Sequence, residues 1–502
     1  MHFLRKAVSS IVGQIALFAV FFFLYHKLIV YIMRETGLKL GAVGYNGVFT
    51  PLYAIIRPEL SWWVIPAILI CSGFLFISYK YLLSNKISTS RLIALSIIFF
   101  IAITISVAQI DGYNNIGNEE NPNWILSLLE PYTRTGMEYY GDVPRIEDLG
   151  LGAFLRDFSK PELFDTLSGH TRTHPAGGVV FLWLVSKIFG YNLLSASLFS
   201  ILFTSVIVIL IYKLGEHLYD KTVALYALLL FLITPNFVMF TGTSMDGPFS
   251  VFPILSLYLF YKARERETNP DIDLTTFRPY SLLTGISLAI GMFMTYSTVV
   301  IGVFLCVIAI LEYKQFNQYL KVLAFAAVGY IGFYLLLYII AGYDPITSTW
   351  AAIKKDEAGL GTGYESIDRF FHLSIGNLFA FLIGVGIPIT AVWFRQVKNT
   401  FSDWRKNTTT SEKDSGSSTL PWLLRFEKAD TYLIGFCITL FYFTFSTLFT
   451  MEVERIWIFM VPFFVIPVAK FLTTRPRSDL YWVGCLLVVQ LILSEVLLYT
   501  YW

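Results

Sequence analysis

Charge is what this sequence has least of. Only 14% of its 502 residues are charged, where a soluble protein would carry about 25%. Hydrophobic residues make up 56%. That balance excludes an ordinary water-soluble globular chain. Cysteine is scarce as well. Cys71, Cys306, Cys437 and Cys485 all lie inside apolar runs, which argues for small packing residues and against disulfides or a thiolate metal centre. There is no basic arm, and 37 lysines and arginines nearly balance 35 acids, so no nucleic-acid partner is implied. The first apolar run, in "MHFLRKAVSSIVGQIALFAVFFFLYHKLIV", is long and lacks a small-residue cleavage site. It reads as an uncleaved first helix, not a signal peptide. No internal repeat is visible.

What the chain has instead is a series of apolar runs of about 18 to 25 residues, the length that crosses a bilayer as helix. They show no dyad alternation, so a barrel is excluded. The expected fold is an all-α polytopic membrane protein of about 13 transmembrane helices. Candidate spans fall at roughly 8–32, 62–79, 91–110, 192–212, 222–240, 247–261, 281–294, 296–311, 319–341, 372–395, 430–450, 456–473 and 479–501. Lysine and arginine near short loops orient them. Arg5 and Lys6 put the N-terminus in the cytoplasm, and Lys80, Lys86 and Arg91 do the same for the second loop. Breaking 281–311 near "MTYS" keeps the basic segment 396–430 inside, along with Arg475 and Arg477. The stretch 177–190, "GVVFLWLVSKIFGY", is short for a span and fits an interfacial or re-entrant helix. With that choice Lys262, Arg264, Arg266 and Arg278 face the cytoplasm, and the C-terminus lies outside. The Ser/Thr-rich "NTTTSEKDSGSST" reads as a flexible linker.

This topology brings five polar features to the outer side. The loop 111–176 carries eleven acids against five bases, with Asp111, Glu138 and Asp142 among them. "SGHTRTHPAGG" follows, with His170, Arg172 and His174. "TSMDGPF" places Asp246 at a helix mouth, a second loop carries Lys354 and Lys355, and "MEVERIWIFMVP" carries Glu452, Glu454 and Arg455. Ionisable groups at membrane depth are costly and usually mark a site. Each also has a plain structural reading: solvated loop acids, a helix-terminal aspartate, an interfacial ion pair, or headgroup-level histidines. His170 and His174 would share one face only if the segment before Pro175 were helical, and the residue before a proline disfavours that. A two-histidine metal site is therefore not expected, and Pro175 is expected at the start of the next helix.

The order of these motifs resembles the GT-C superfamily of integral membrane glycosyltransferases, of the protein O-mannosyltransferase and aminoarabinose transferase type. "THPAGG" is similar to the His-Pro motif that ends the family's first outer loop. "KLGEHLYDK" matches its inner turn, "TSMDGPF" its Asp-Gly-Pro element, and "GISLAIGMFMTYSTVV" its glycine-rich broken span. "EVERIWIFMVP" resembles a late motif of bacterial members. The resemblance covers 91–312 well and 430–470 in part. Taken with the topology above, the chain divides into two extra spans in 1–90, a core at 91–341 with outer loop 111–176, a second outer loop 342–371, and C-terminal spans in 372–502 with a cytoplasmic linker 396–430.

The resemblance further implies a multi-pass enzyme of the cell membrane. It would move a sugar, on the extracytoplasmic side, from a polyprenyl-phosphate donor to a glycan, lipid or protein acceptor. An outer-loop carboxylate is the expected base. The family usually has an Asp-Glu pair there, whereas Asp111 has no neighbouring Glu, and Glu138 and Asp142 lie further on. Inverting transfer needs a proton acceptor, positive charge or a metal for the leaving phosphate, and a dry, aligned site. Asp111, Asp142 and Glu138 are the candidate bases. His170, Arg172, His174, Lys354, Lys355 and Arg455 are candidates for the phosphate, and Asp246 and Glu454 for the acceptor or a metal. Carboxylates and histidine could hold Mg²⁺ or Mn²⁺, but no spacing demands an ion. The rival reading is a flippase or transporter of polyprenyl-linked sugar, which would show charges near the midplane and inverted repeats. A non-catalytic scaffold is the third.

Overall fold

The computed structural model describes residues 10–37, 49–80, 88–110, 126–133, 136–267, 278–312, 316–414, 428–449 and 452–500. It is a helical bundle with one two-stranded sheet among the described residues. Helices occupy all thirteen candidate stretches. Six of them are long and apolar enough to cross a membrane by themselves, or seven if one bent pair counts as a span.

The first half of the chain runs α1 (Ile11–Thr36), β1 (Ala54–Ile56), α2 (Val64–Lys80), α3 (Thr89–Ala108) and α4 (Leu126–Thr133). Four short helices follow: α5 (Val143–Leu149), α6 (Leu151–Asp157), α7 (Pro161–Phe164) and α8 (Gly169–Thr173). Then come α9 (Gly177–Phe189), α10 (Leu193–Thr204), α11 (Val206–Leu218), α12 (Lys221–Phe231), α13 (Pro235–Thr243) and α14 (Asp246–Glu267). The second half runs α15 (Pro279–Met294), α16 (Val299–Leu311), α17 (Phe316–Ala341), α18 (Pro345–Leu360), α19 (Ile367–Phe371), α20 (Asn377–Val385) and α21 (Ile387–Asp414). It closes with α22 (Lys428–Ser446), α23 (Val453–Ile456), α24 (Pro462–Thr473), α25 (Arg477–Leu497) and β2 (Leu498–Thr500).

Local sequence explains the breaks. Thr295 is extended between α15 and α16, and its hydroxyl accepts from the Ser297 N–H, so the chain does break at "MTYS". Pro235 starts a new helix after α12, and the two pieces bend by 55°. α9 has 13 residues, about 20 Å of helix against a hydrocarbon core of about 30 Å. α21 continues to Asp414, so the first part of the segment expected as a linker is helical. Residues 342–371, expected as a second outer loop, are also largely helical, through α18 and α19.

Among the described residues two apolar clusters are large. The larger lies within the bundle and is built around Phe100, Phe231, Tyr261, Phe304, Tyr432 and Phe463. The smaller lies under the segment 136–176, where Tyr139, Val143, Phe154 and Phe158 pack on Val179, Leu182 and Phe293. The segment's described residues therefore form a folded cap resting on α9 and α15. α14 crosses between the two ends. Asp246 begins it, and near its far end Arg264 pairs with Glu312, which also accepts from the Tyr319 hydroxyl at 2.6 Å.

α15 and α17 approach most closely through reciprocal glycines. A Cβ on Gly285 would lie 1.7 Å from the Ala326 carbonyl oxygen, and one on Gly329 would lie 2.3 Å from the Leu282 carbonyl oxygen. Small residues at such a crossing let helix backbones touch where lipid offers no hydrophobic drive. Gly285→Leu or Gly329→Leu should cost more than the 1–3 kcal/mol typical of overpacking, read as a lower unfolding midpoint in detergent. Wild-type midpoints in both variants would refute this packing.

Candidate active site

The site is assembled from three stretches that are remote in sequence. The first is the turn at 136–142. The Gly169 N–H donates to the Gly136 carbonyl and the His170 N–H to the Met137 carbonyl, each at 2.9 Å. The Asp142 carboxylate accepts the Ser168 N–H at 3.0 Å. These bonds staple the turn to α8 and bring Glu138 Oε2 within 3.2 Å of His170 Nδ1. Both side chains are largely buried. The Tyr139 ring packs against His170, His174 and Phe249 at centroid distances of 5.9, 5.7 and 5.5 Å. Gly178 makes room for it, since a Cβ there would sit 3.0 Å from the Tyr139 ring.

The histidine segment differs from expectation. Residues 169–173 form one turn of helix, and only His174 is extended, at φ −125° and ψ 166°. The restriction imposed by proline acts on the residue just before it, so the preceding turn stays helical and the rings lie 6.1 Å apart. Pro175 precedes Ala176, the residue that caps α9, instead of beginning that helix. His174 Nδ1 lies 3.1 Å from the His170 carbonyl. A carbonyl only accepts, so Nδ1 carries the proton and Nε2 keeps a lone pair. Burial, then His170 and Arg455, press the His174 pKa down to about 3. Arg172 has no ion-pair partner among the described residues, and its Nε is buried without a hydrogen bond.

The second stretch is the start of α14. The Ser244 hydroxyl donates to Asp246 Oδ2 at 2.8 Å and orients it. The third is the turn before α24. Glu452 sits in the left-handed region at φ 61°, a strained setting for a residue with a Cβ. Its carboxylate meets Arg455 Nη2 at 2.7 Å, while Arg455 Nε faces Asp246 Oδ2 at 3.3 Å. Burial works against the Arg455 charge, and Asp246, Glu452 and Glu138 more than offset it. Burial raises the Glu452 pKa against the pull of Arg455 and His170. The Tyr139 phenol is held far above its usual range by burial and by Asp246 and Glu138.

So Glu138, His170, His174, Asp246 and Arg455 come together, with Arg172 on the same short helix. Asp111 lies outside the described residues. Asp142 is buried and holds the loop through Ser168. Glu454 turns elsewhere. Its carboxylate accepts the Tyr53 N–H at 2.7 Å, its carbonyl accepts from Asn236, and burial raises its pKa to about 7. Lys354 and Lys355 ride on α18, which packs on α8; among the described residues no hydrogen bond or ion pair joins either to the cluster. Nor do three metal-ligating side chains converge among the described residues. Tyr139 was not singled out from the sequence, and Glu452 was noted beside Glu454 and Arg455 without a role. Tyr139 adjoins Glu138 in "GMEYYGD", but only the left-handed turn aims Glu452 at Arg455.

Residues 173–339 match the dolichyl-phosphate-mannose-protein mannosyltransferase family model. The match indicates a membrane glycosyltransferase of the GT-C type, the resemblance that the motifs carry. The matched segment supplies His174 and Asp246, whereas Glu138, His170, Glu452 and Arg455 lie outside it. No curated protein and no solved structure shows a significant match to the chain.

The cluster has a pH signature. Between pH 6.5 and about 3 the unfolded chain protonates at the position of His174 and the folded one does not, so stability falls as pH falls through that range. Glu454, raised from 4.5 to about 7, acts oppositely: its contribution is full below 4.5 and is lost as pH rises to about 7. In unfolding titrations, His174→Gln should lessen the loss of stability on acidification below pH 6.5. Glu454→Gln should lessen the loss on raising pH from 4.5 to 7. Slopes identical to wild type in both would contradict these assignments.

Proposed function

We propose that the protein transfers a sugar from a polyprenyl-phosphate donor to an extracytoplasmic hydroxyl acceptor, with inversion, at the cluster around Arg455. The observation that carries this reading is the convergence of a carboxylate–histidine pair and a buried arginine from separate segments at one end of the bundle. The acceptor hydroxyl attacks the sugar carbon, and the bond to the lipid-phosphate oxygen breaks. The acceptor's proton passes to a loop carboxylate. Glu138, oriented by His170, is placed for this, and Asp111 is the other carboxylate to test. Asp142 keeps the turn closed.

Arg172 and Arg455 stabilise the departing phosphate. A guanidinium fork suits phosphate oxygens, and Arg172 lacks a carboxylate partner among the described residues. His174, neutral and with Nε2 open as an acceptor, takes a hydrogen bond from a sugar or acceptor hydroxyl. Asp246 and Glu452 hold the Arg455 fork at fixed orientation, so little reorganisation is needed as charge develops. Lys354 and Lys355 form an outer basic fringe for the diphosphate-free donor headgroup. The lipid tail stays in the bilayer, which brings the reacting atoms together along one direction.

The test is transfer from a lipid-linked sugar by purified protein in lipid discs. Glu138→Gln or Asp111→Asn should lower kcat by about 10²–10⁴, the usual contribution of a general base. Arg455→Lys, which keeps the charge and loses the fork, should lower it by about 10²–10³. Full activity in Asp111→Asn, Glu138→Gln and Asp142→Asn together would sink the reading. Sugar crossing the bilayer without covalent transfer would favour the transporter instead.

A further inference from the structure

A second polar feature lies far from Arg455. α1 runs beside α21 and then α20 in the opposite direction, with Phe18 stacked on Phe394 of α21 at 5.5 Å and Phe22 edge-on to Phe379 of α20 at 5.7 Å. Between α1 and α21 opens a groove of about 450 Å³. Its contents are ordered along the helices. Leu17, Phe18, Ala391 and Phe394 line one part, and Gln14, Arg395, Lys398 and Asn399 line the part nearer the start of α1. His26, further along α1, bonds the Thr50 carbonyl near the Tyr53–Glu454 contact. Gln14 lies three turns before it, about 18 Å away, so the groove sits towards the opposite end of the bundle from the cluster.

The polar part is cationic. Lys398 has no ion-pair partner among the described residues, and Arg395 lies over the Phe471 ring at 5.1 Å. Arg475, on a packed neighbour, adds positive charge near Arg395. Asp479 is the facing acid, and Arg475 engages it at 3.0 Å; on α21 itself Asp403 and Arg405 follow Lys398. Gln14 Oε1 is buried and has no hydrogen-bond donor. The groove thus offers positive charge and one unmet acceptor beside an apolar trough open on the bilayer side, where Leu17 and Phe394 are exposed.

We propose that this groove binds one anionic glycerophospholipid. Its phosphate lies against Arg395 and Lys398, a headgroup hydroxyl donates to Gln14 Oε1, and one acyl chain follows Leu17, Phe18 and Phe394. Basic pockets between transmembrane helices hold anionic headgroups in this way. The hydroxyl separates this ligand from bare phosphate, which fills neither the trough nor the Gln14 acceptor. The inference is independent of the transferase reading.

Native mass spectrometry of the full-length protein in mild detergent, mixed with equal phosphatidylglycerol and phosphatidylcholine, tests it. Wild type should retain phosphatidylglycerol preferentially. Each basic residue near a membrane surface contributes about 1 kcal/mol, roughly fivefold, so the Arg395→Gln/Lys398→Gln variant should retain about 25-fold less. Lys398→Gln alone, at an exposed side chain, should lose about fivefold and keeps the test open if the double variant does not fold. Leu17→Trp, which obstructs the trough and leaves the charges, should also release the lipid. Equal retention of both lipids, or undiminished retention in the charge variants, overturns the proposal. Retention by Leu17→Trp, or displacement by inorganic phosphate alone, overturns it too, reducing the site to surface adsorption or a phosphate pocket.

Discussion

The structure around the site depends on keeping one arginine charged where water is scarce. Removing a guanidinium from water costs several kcal/mol unless carboxylates with good geometry meet it. Arg455 is met by Glu452 from its own turn and by Asp246 from the start of α14. Several local features answer that need. Glu452 accepts a left-handed backbone, and Ser244 fixes the Asp246 carboxylate. The start of α14 must stay beside the turn before α24, so the ion cluster constrains the bundle as well as the site.

The cap formed by 136–176 serves the same end with different means. It has its own apolar core on α9 and α15, so its polar edge is presented from a rigid base. Backbone bonds between 136–137 and 169–170 then set the Glu138–His170 pair without relying on flexible side chains. A further tie comes from the ends of the chain. β1 pairs with β2, and Tyr53, just before β1, donates to Glu454 next to Arg455. The two leading helices are thereby coupled to the site although they contribute no side chain to the cluster.

Much of this was legible because lipid leaves a helix few options. Backbone groups in hydrocarbon must bond within the segment, so apolar length alone located the helices, and the polar pair at "MTYS" located a break. The short apolar stretch after Pro175 is a 13-residue helix, as its length indicated. The histidine pair was misread because a rule about the residue before proline was extended to a whole turn. Glu454 and Arg455 are adjacent, yet their side chains go to different partners. Asp142 and Glu138 also look alike in sequence, but one accepts a backbone N–H and the other faces a histidine. Such divisions depend on side-chain direction within a single turn, which composition and spacing do not encode.

The sequence by itself determined that this chain is helical and apolar, that its ionisable groups cluster near helix ends, and that its motifs run in the order of a GT-C glycosyltransferase. Each follows from local physics: hydropathy, helix-breaking residues and short patterns. Only the tertiary structure decided which acids share a site, that Tyr139 and Glu452 join it, and that a basic groove lies between α1 and α21. Those features depend on contacts between residues hundreds of positions apart, and on one left-handed residue whose conformation is stabilised by the ion pair it makes possible.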